Sequence, residues 1–293
     1  MPSTQIQWFP GHMAKTRRLI TECLPLVDIV IELRDARIPV SSRNPEIWRL
    51  CGSKPVLTVF AKSDLADPRE NDAWRSAFEK QGRACLFIDC KSNASVEKIG
   101  PAINAILSEK LAKYEAKGMS GRTVKAMVVG VPNVGKSTLI NKLAGSKKAK
   151  AEDRPGVTTS KQWVSTNIGI DLLDMPGVLW PKFDDEKVGE NLAATKAIKD
   201  DILDCERIAT SLCGTIRRRY PELLSARYKL GDVEQYSDLE DWEFVEVIGK
   251  KRGFLISGGE VNYERTSNML LSEFRGGQIG RITLEGAGEY ADL

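Results

Sequence analysis

Residues Gly130-Val131-Pro132-Asn133-Val134-Gly135-Lys136-Ser137 match G-x-x-x-x-G-K-[ST], a pattern built to hold phosphate. Its glycines let backbone N–H groups curl around phosphate oxygens, and the helix it opens adds the positive end of its dipole. Lys136 is placed to reach β- and γ-phosphates and Ser137 to ligate Mg²⁺, with Asn133, Val134, Gly135 and Thr138 lining the cradle. About forty residues on, Leu172-Leu173-Asp174-Met175-Pro176-Gly177 reads as an apolar strand delivering Asp174 toward Mg²⁺, with the Gly177 N–H offered to the γ-phosphate. Between them, Arg154-Pro155-Gly156-Val157-Thr158-Thr159 has no helical period. A switch needs one hydroxyl that ligates Mg²⁺ only when the γ-phosphate is present; Thr158 or Thr159 could supply it, Thr158 being favoured, and an ordinary Pro-Gly turn is the alternative.

Reading guanine requires a carboxylate that accepts from the base N1–H and exocyclic amine. Val56–Phe60 followed by Ala61-Lys62-Ser63-Asp64 fits a strand that lays Lys62 along the base plane and sets Asp64 at its edge. The next strand ends at Ile88-Asp89-Cys90-Lys91, where a backbone N–H, that of Cys90, is placed to donate to the base O6. These segments precede the phosphate loop by about seventy residues, whereas guanine motifs normally follow it. A parallel sheet tolerates that order when the original termini were adjacent, because permutation preserves the contacts.

The elements that must position these residues alternate along the first two-thirds of the chain. Strands are expected at Val27–Leu33, Pro55–Phe60, Cys85–Ile88, Val124–Val129, Gln162–Ser165 and Gly169–Leu173. Helices are expected at Ala14–Cys23, Asp67–Gln81, Ser95–Ala116 and Lys136–Ala144, which together imply a mainly parallel sheet covered on both faces. After Trp180-Pro181 the period changes: Ile202, Cys205, Ala209, Leu212 and Ile216 lie on one helical face, Pro221 closes that segment, and Leu239–Ile248 and Tyr263–Phe274 also favour helix. Gln278–Leu284 reads as a final strand. The expected architecture is an α/β, Rossmann-like domain over residues 1–182 and a helical domain over 183–293.

Composition bounds the rest. With 42% apolar and 28% charged residues, the chain is neither disordered, fibrous nor a coiled-coil rod, and its apolar runs are strand-sized, so a cytoplasmic protein is expected. Six cysteines never form C-x-x-C and there is one histidine, which argues against a zinc site. The net charge of +3 is uneven, with a lysine-rich stretch from Lys110 to Lys161 and an acidic excess after residue 185. Such asymmetry suggests a polyanionic partner. Lys142, Lys147, Lys148, Lys150 and Arg154 could face RNA phosphates or be a solvated face; Arg217-Arg218-Arg219 could do the same or complement a helix dipole. Trp242, Phe244 and Phe254 are expected in the core rather than as stacking platforms.

Taken with Trp8-Phe9-Pro10-Gly11-His12-Met13, the permuted motif order, Asp174–Phe183 and Gly277-Gln278-Ile279-Gly280-Arg281, the chain resembles the circularly permuted P-loop GTPases that assist ribosome assembly, of the YlqF/RbgA type. The resemblance covers nearly the whole chain. It implies a GTP hydrolase acting late in maturation of the large ribosomal subunit, stimulated by that particle, with GTP/GDP and Mg²⁺ bound and rRNA contacted by a C-terminal helical domain. A monomer off the ribosome is expected. The alternative is a GTP-dependent RNA- or protein-binding switch with negligible hydrolysis. The family carries Asn where this chain has Ala61, so lower nucleotide affinity is expected, with guanine selectivity kept by Asp64. Val178 occupies the place of the water-orienting glutamine of many small GTPases and can neither donate nor accept. The family implies that His12, in a glycine-flanked loop, approaches the γ-phosphate, as catalyst or as RNA contact. In related GTPases an Asn at the position of Asn133 helps bind K⁺.

Overall fold

The computed structural model describes residues 10–119, 121–145, 162–177, 179–180, 185–200 and 204–290, with side chains from residue 17 onward and, in the edge strand, from 163. Within the first unit, strands β1 (Ile29–Asp35), β2 (Val56–Ala61), β3 (Cys85–Phe87), β4 (Val124–Gly130), β5 (Gln162–Ser165) and β6 (Ile170–Asp174) form one sheet in the order β3-β2-β1-β4-β6-β5. Every pairing is parallel except β5 with β6, which is antiparallel at the edge. All seven residues of β1 are buried, as expected for a central parallel strand covered on both faces. Its apolar side chains join clusters on either side, with Val30 beside Met127, Val129 and Leu173.

The six strands expected before residue 180 are all present, Gln162–Ser165 with its expected bounds and the others shifted by at most two residues at either end. The expected helix over Ser95–Ala116 is three pieces: α4 (Asn93–Val96), α5 (Ile99–Ile106) and α6 (Ser108–Ala116). Pro101 has no N–H to give, so it is tolerated only in a first turn, and α5 starts two residues before it. The other helices of this unit are α1 (Pro10–Cys23), α2 (Pro45–Cys51), α3 (Pro68–Lys80) and α7 (Lys136–Ala144). Caps explain two of the starts. Asn44 accepts from Glu46 N and Asp67 from Arg69 N, each followed by proline at the first helical position.

The second unit is helical: α8 (Glu186–Ala194), α9 (Cys205–Arg219), α10 (Pro221–Tyr228), α11 (Asp241–Lys251) and α12 (Tyr263–Arg275). α9 is its spine, burying Ile208, Ala209, Leu212, Cys213 and Ile216. Pro221 both ends one helix and begins the next, since its fixed φ suits a first turn. Glu273 ties the unit together: it accepts from Arg227 Nε at 2.8 Å, Tyr228 Oη at 2.9 Å and Arg252 Nη2 at 3.2 Å. The expected strand over Gln278–Leu284 is absent; the segment buries Ile279, Ile282 and Leu284 without a ladder partner. All six cysteines are free, and among the described residues no helix is long and apolar enough to cross a membrane.

The two compact units do not divide the chain once. Residues 183–284 form the helical unit, but the chain from Glu285 onward belongs to the first unit, where a single domain over 183–293 was expected. The cause is a set of long-range contacts. The Glu285 carboxylate, 2% exposed, accepts from Val40 N at 2.6 Å, from Ser41 N at 3.0 Å and from the Ser41 hydroxyl. Its carbonyl accepts from Trp74 Nε1 at 2.9 Å, Ala287 N donates to Glu70 at 3.0 Å, and Tyr290 stacks on Trp74. Glu285→Ala removes the acceptor of the buried Ser41 N–H, the half-buried Val40 N–H and the Ser41 hydroxyl, so it should destabilise the first unit by about 3 kcal/mol, read as a lower denaturant midpoint for the full chain.

Candidate functional site

Five parallel strands end on one edge of the sheet. From β1 the chain moves outward to β2 and β3, then returns to lay β4 on the other side of β1, so the topological switch point lies between β1 and β4. In sheets of this type ligands bind outside the carboxyl ends at that point. The phosphate loop leaves β4 there. Gly130 faces Leu33 of β1, and a Cβ on it would lie 2.6 Å from the Leu33 carbonyl oxygen, so close strand packing requires glycine. Asn133 (φ 56°) and Gly135 (φ 113°) turn the loop into α7, Val134 anchors it in the core, and Ser137 and Thr138 stand exposed at the helix start.

Lys136 is buried, and its ammonium donates only a long 3.4 Å contact to the Gly130 carbonyl. Burial lowers its pKa from 10.5 to about 8, with the opposing charge of Asp174 acting the other way. A buried cation so weakly satisfied suits an incoming anion. Asp174 ends β6, and burial raises its pKa while the Lys136 charge and the Met175 N–H pull it down. Gly177 closes against the loop: a Cβ there would lie 3.0 Å from Pro132 Cα and 3.1 Å from Lys136 Nζ. The D-x-x-G turn and the phosphate loop are thus brought together, with space only for glycine. Ser137 and Asp174 are an oxygen donor set of the kind Mg²⁺ takes, one or two protein groups completed by phosphates and water.

The segments expected to read a base reach the same place. Ala61 ends β2 and is fully buried, Cys90 is buried after β3, and burial pushes the Cys90 thiol up to about 12. A Cβ on Gly135 would lie 3.7 Å from Cys90 Sγ and 3.9 Å from Ala61 Cβ, so segments far apart in sequence meet at the phosphate loop. Ala61 offers only a buried methyl at this point. Ser63 N donates to Ile88 O at 3.2 Å, which links the two base segments, and Asp64 is exposed beyond them. Asp89 accepts from Lys91 N at 2.8 Å and its own N–H donates to Ser95 Oγ, an arrangement that shapes the loop carrying Cys90. Lys62, at φ 58°, donates to Asp35 at 3.0 Å. That partner was not expected from the sequence: β1 carries Glu32, Arg34 and Asp35, and nothing in its pattern marks which of them meets Lys62.

Two expectations are revised. His12 lies in the first turn of α1 rather than in a loop, and Trp242 is half exposed rather than core, whereas Phe244 is fully buried. Arg217 is used internally, donating to the carbonyls of Leu239 and Tyr236 and lying 4.7 Å over the Phe244 ring, which leaves Arg218 as the exposed member of the arginine triplet paired to Asp241. The His12 side chain, Thr158, Val178, Lys147, Lys148, Lys150 and Arg154 lie outside the described residues.

A family model described as 50S ribosome-binding GTPase matches residues 125–220, beginning at the phosphate-loop strand and omitting the base-reading segments before it. Ribosome biogenesis GTPase A of Bacillus cereus is 46% identical over 287 residues, 98% of this chain and 96% of that one. The GDP-bound structure of TM YlqF superposes with a TM-score of 0.64 at 26% identity, covering 92% of this chain and all of the other. The GNP-bound YlqF from T. maritima gives 0.63 at the same identity, covering 93% and 98%.

The low proton affinity of Lys136 sets a pH dependence. An anionic phosphate requires the ammonium, so nucleotide affinity should fall by up to about tenfold per pH unit above pH 8. The unliganded fold should respond with the opposite sign. Between about 8 and 10.5 the unfolded chain holds a proton at Lys136 that the native state has lost, so stability from this group rises with pH. Calorimetric titration with GDP from pH 7 to 9.5 measures the first effect, and Lys136→Ala should abolish both tight binding and this pH dependence.

Proposed function

Since the chain belongs to the ribosome biogenesis GTPase A family, we propose that it hydrolyses GTP to GDP and phosphate on a maturing large ribosomal subunit, in the cytoplasm and as a monomer when free. The observation that carries this reading is the meeting at Gly135 of the phosphate loop with Ala61 and Cys90, which sets a guanine reader beside a phosphate cradle. Lys136 neutralises β- and γ-phosphate charge from a desolvated position where that charge is strongly felt, and the α7 N-terminus adds its unpaired N–H groups. Asp64 accepts from the guanine N1–H and amine, the Cys90 N–H donates to O6, and Lys62 and Ser63 line the base plane. Ser137 and Asp174, with Thr158 added, would hold Mg²⁺. Bound there, the ion supplies further positive charge against the β- and γ-oxygens.

With an apolar residue at Val178, the attacking water must be oriented by another group. His12 is assigned that role, with K⁺ beside Asn133 adding charge. Contact with rRNA is assigned to basic residues that the fold leaves exposed, including Arg218, Lys250 and Lys251.

Single-turnover hydrolysis with saturating large-subunit precursor tests the reading. Turnover should be slow alone and rise with the particle, more in K⁺ than in Na⁺, and His12→Ala should lose roughly ten- to a thousand-fold of the stimulated rate. Asp64→Asn should move preference from GTP to XTP, because xanthine carries an oxygen where guanine carries the amine. No cosedimentation with the precursor, or an Asp64→Asn variant that still prefers GTP, would refute the corresponding part.

A further inference from the structure

The ion pairs that close β1 take no part in the mechanism above, yet they reach into it. Asp35 stands opposite Ala61 across the β1–β2 pairing, and two residues before it Leu33 stands opposite Gly130. Its carboxylate therefore sits on the strand between the base-reading segment and the phosphate loop. It is 2% exposed and accepts four hydrogen bonds. Oδ1 takes Arg37 N at 3.0 Å and Arg37 Nε at 2.9 Å; Oδ2 takes Arg37 Nη2 at 2.8 Å and Lys62 Nζ at 3.0 Å. A carboxylate has about four lone-pair sites, so this one is filled and its direction fixed. The backbone is held as well, with Asp35 N donating to Ser42 Oγ and Ala36 N to the Ala61 carbonyl.

Lys62 is a different kind of group. It follows the end of β2 in a left-handed conformation (φ 58°), unfavourable for a residue with a side chain, and its stem crosses to β1 to reach Asp35. A lysine stem left free would have to be ordered when the base arrives, at a cost in rotamer entropy. One held at its tip beforehand carries no such cost. Arg37 has a part in this: its fork takes one face of the carboxylate and leaves one site on Oδ2 for Lys62. The trio keeps a net positive charge.

We propose that Asp35 is a positioning residue for nucleotide recognition, which anchors the Lys62 ammonium so that the lysine stem is laid along the strand edge before the guanine base stacks on it. This rests on the reading that Lys62 lines the base, and the test separates the two.

A double-mutant cycle on GDP affinity, measured by calorimetry on the full chain, decides it. Asp35→Asn puts an amide N–H against either Arg37 or Lys62 and should weaken GDP by about tenfold, within the range of couplings inside one ion-pair network. Lys62→Met should weaken it at least as much, and the double variant no further than Lys62→Met alone. Asp35→Glu keeps the charge that Arg37 needs for folding while moving the carboxylate by one methylene. It should show a smaller loss that also vanishes in the Lys62→Met background, which keeps the test available if Asp35→Asn does not fold. A merely structural role would lower the unfolding midpoint without this non-additivity in affinity. If the two losses multiply, or if both Asp35 variants bind GDP as the wild type does, the positioning role is wrong. If Lys62→Met itself binds GDP normally, Lys62 does not line the base, and the site reading fails first.

Discussion

The parallel registers that set Asp35 opposite Ala61, Leu33 opposite Gly130 and Val128 opposite Asp174 tie four strand ends to one edge of the sheet. Strand pairing fixes each end to within a residue, and the loops that follow have no freedom to diverge before they meet. The phosphate loop, the D-x-x-G turn and the two base segments inherit their proximity from that ladder. The order in which they occur along the chain does not enter. A permuted sequence therefore assembles the same site, provided that the connections between strands remain long enough to cross over the sheet.

Charge is concentrated where that edge is best shielded from water. Asp35, Arg37 and Lys136 are buried, and Lys62 and Asp174 are partly so. Burying ions costs several kcal/mol each unless partners compensate, and replacing such pairs by apolar groups is often neutral or stabilising. β1 itself shows the contrast. Glu32 lies on the same strand and accepts from Arg34 Nη2 at 2.7 Å and Trp48 Nε1 at 2.8 Å. That cluster packs α2 and lies off the strand ends. The groups at the edge divide into a trio in which Asp35 is fully bonded and a lysine at 136 with one long contact. The first gives a rigid support, the second a desolvated positive charge beside the loop.

The chain passes from the first unit to the helical unit shortly after Gly177 and returns to the first unit at Glu285. The helical unit is thus tied to the first at both ends. One tether starts at the turn that closes against Lys136, and the other ends on the loop that carries Val40 and Ser41, five and six residues beyond Asp35. Both tethers join segments that leave the nucleotide edge of the sheet.

Features set by neighbouring residues were legible in the sequence. The phosphate loop, the strands and the helix phases depend on local backbone geometry and on periodicity, and the base motif could be placed because it follows a buried strand. The switch to a helical period after Trp180 marked the second unit for the same reason. The partner of a polar group is another matter. Nothing near Lys62 in sequence identifies Asp35 as its acceptor, and nothing near Glu285 identifies Val40. Arg217 looked available because its neighbours are basic, and is committed to carbonyls twenty residues on; Trp242 looked like core because it is aromatic, and is half exposed. Gln278–Leu284 has the alternation of a strand, yet it buries Ile279, Ile282 and Leu284 without forming one. Local pattern determines which residues are buried and in what repeat, because burial follows from side-chain type and spacing. Tertiary structure decided which donor meets which acceptor, because those pairings are chosen by strand order and chain return, over separations that no local pattern records.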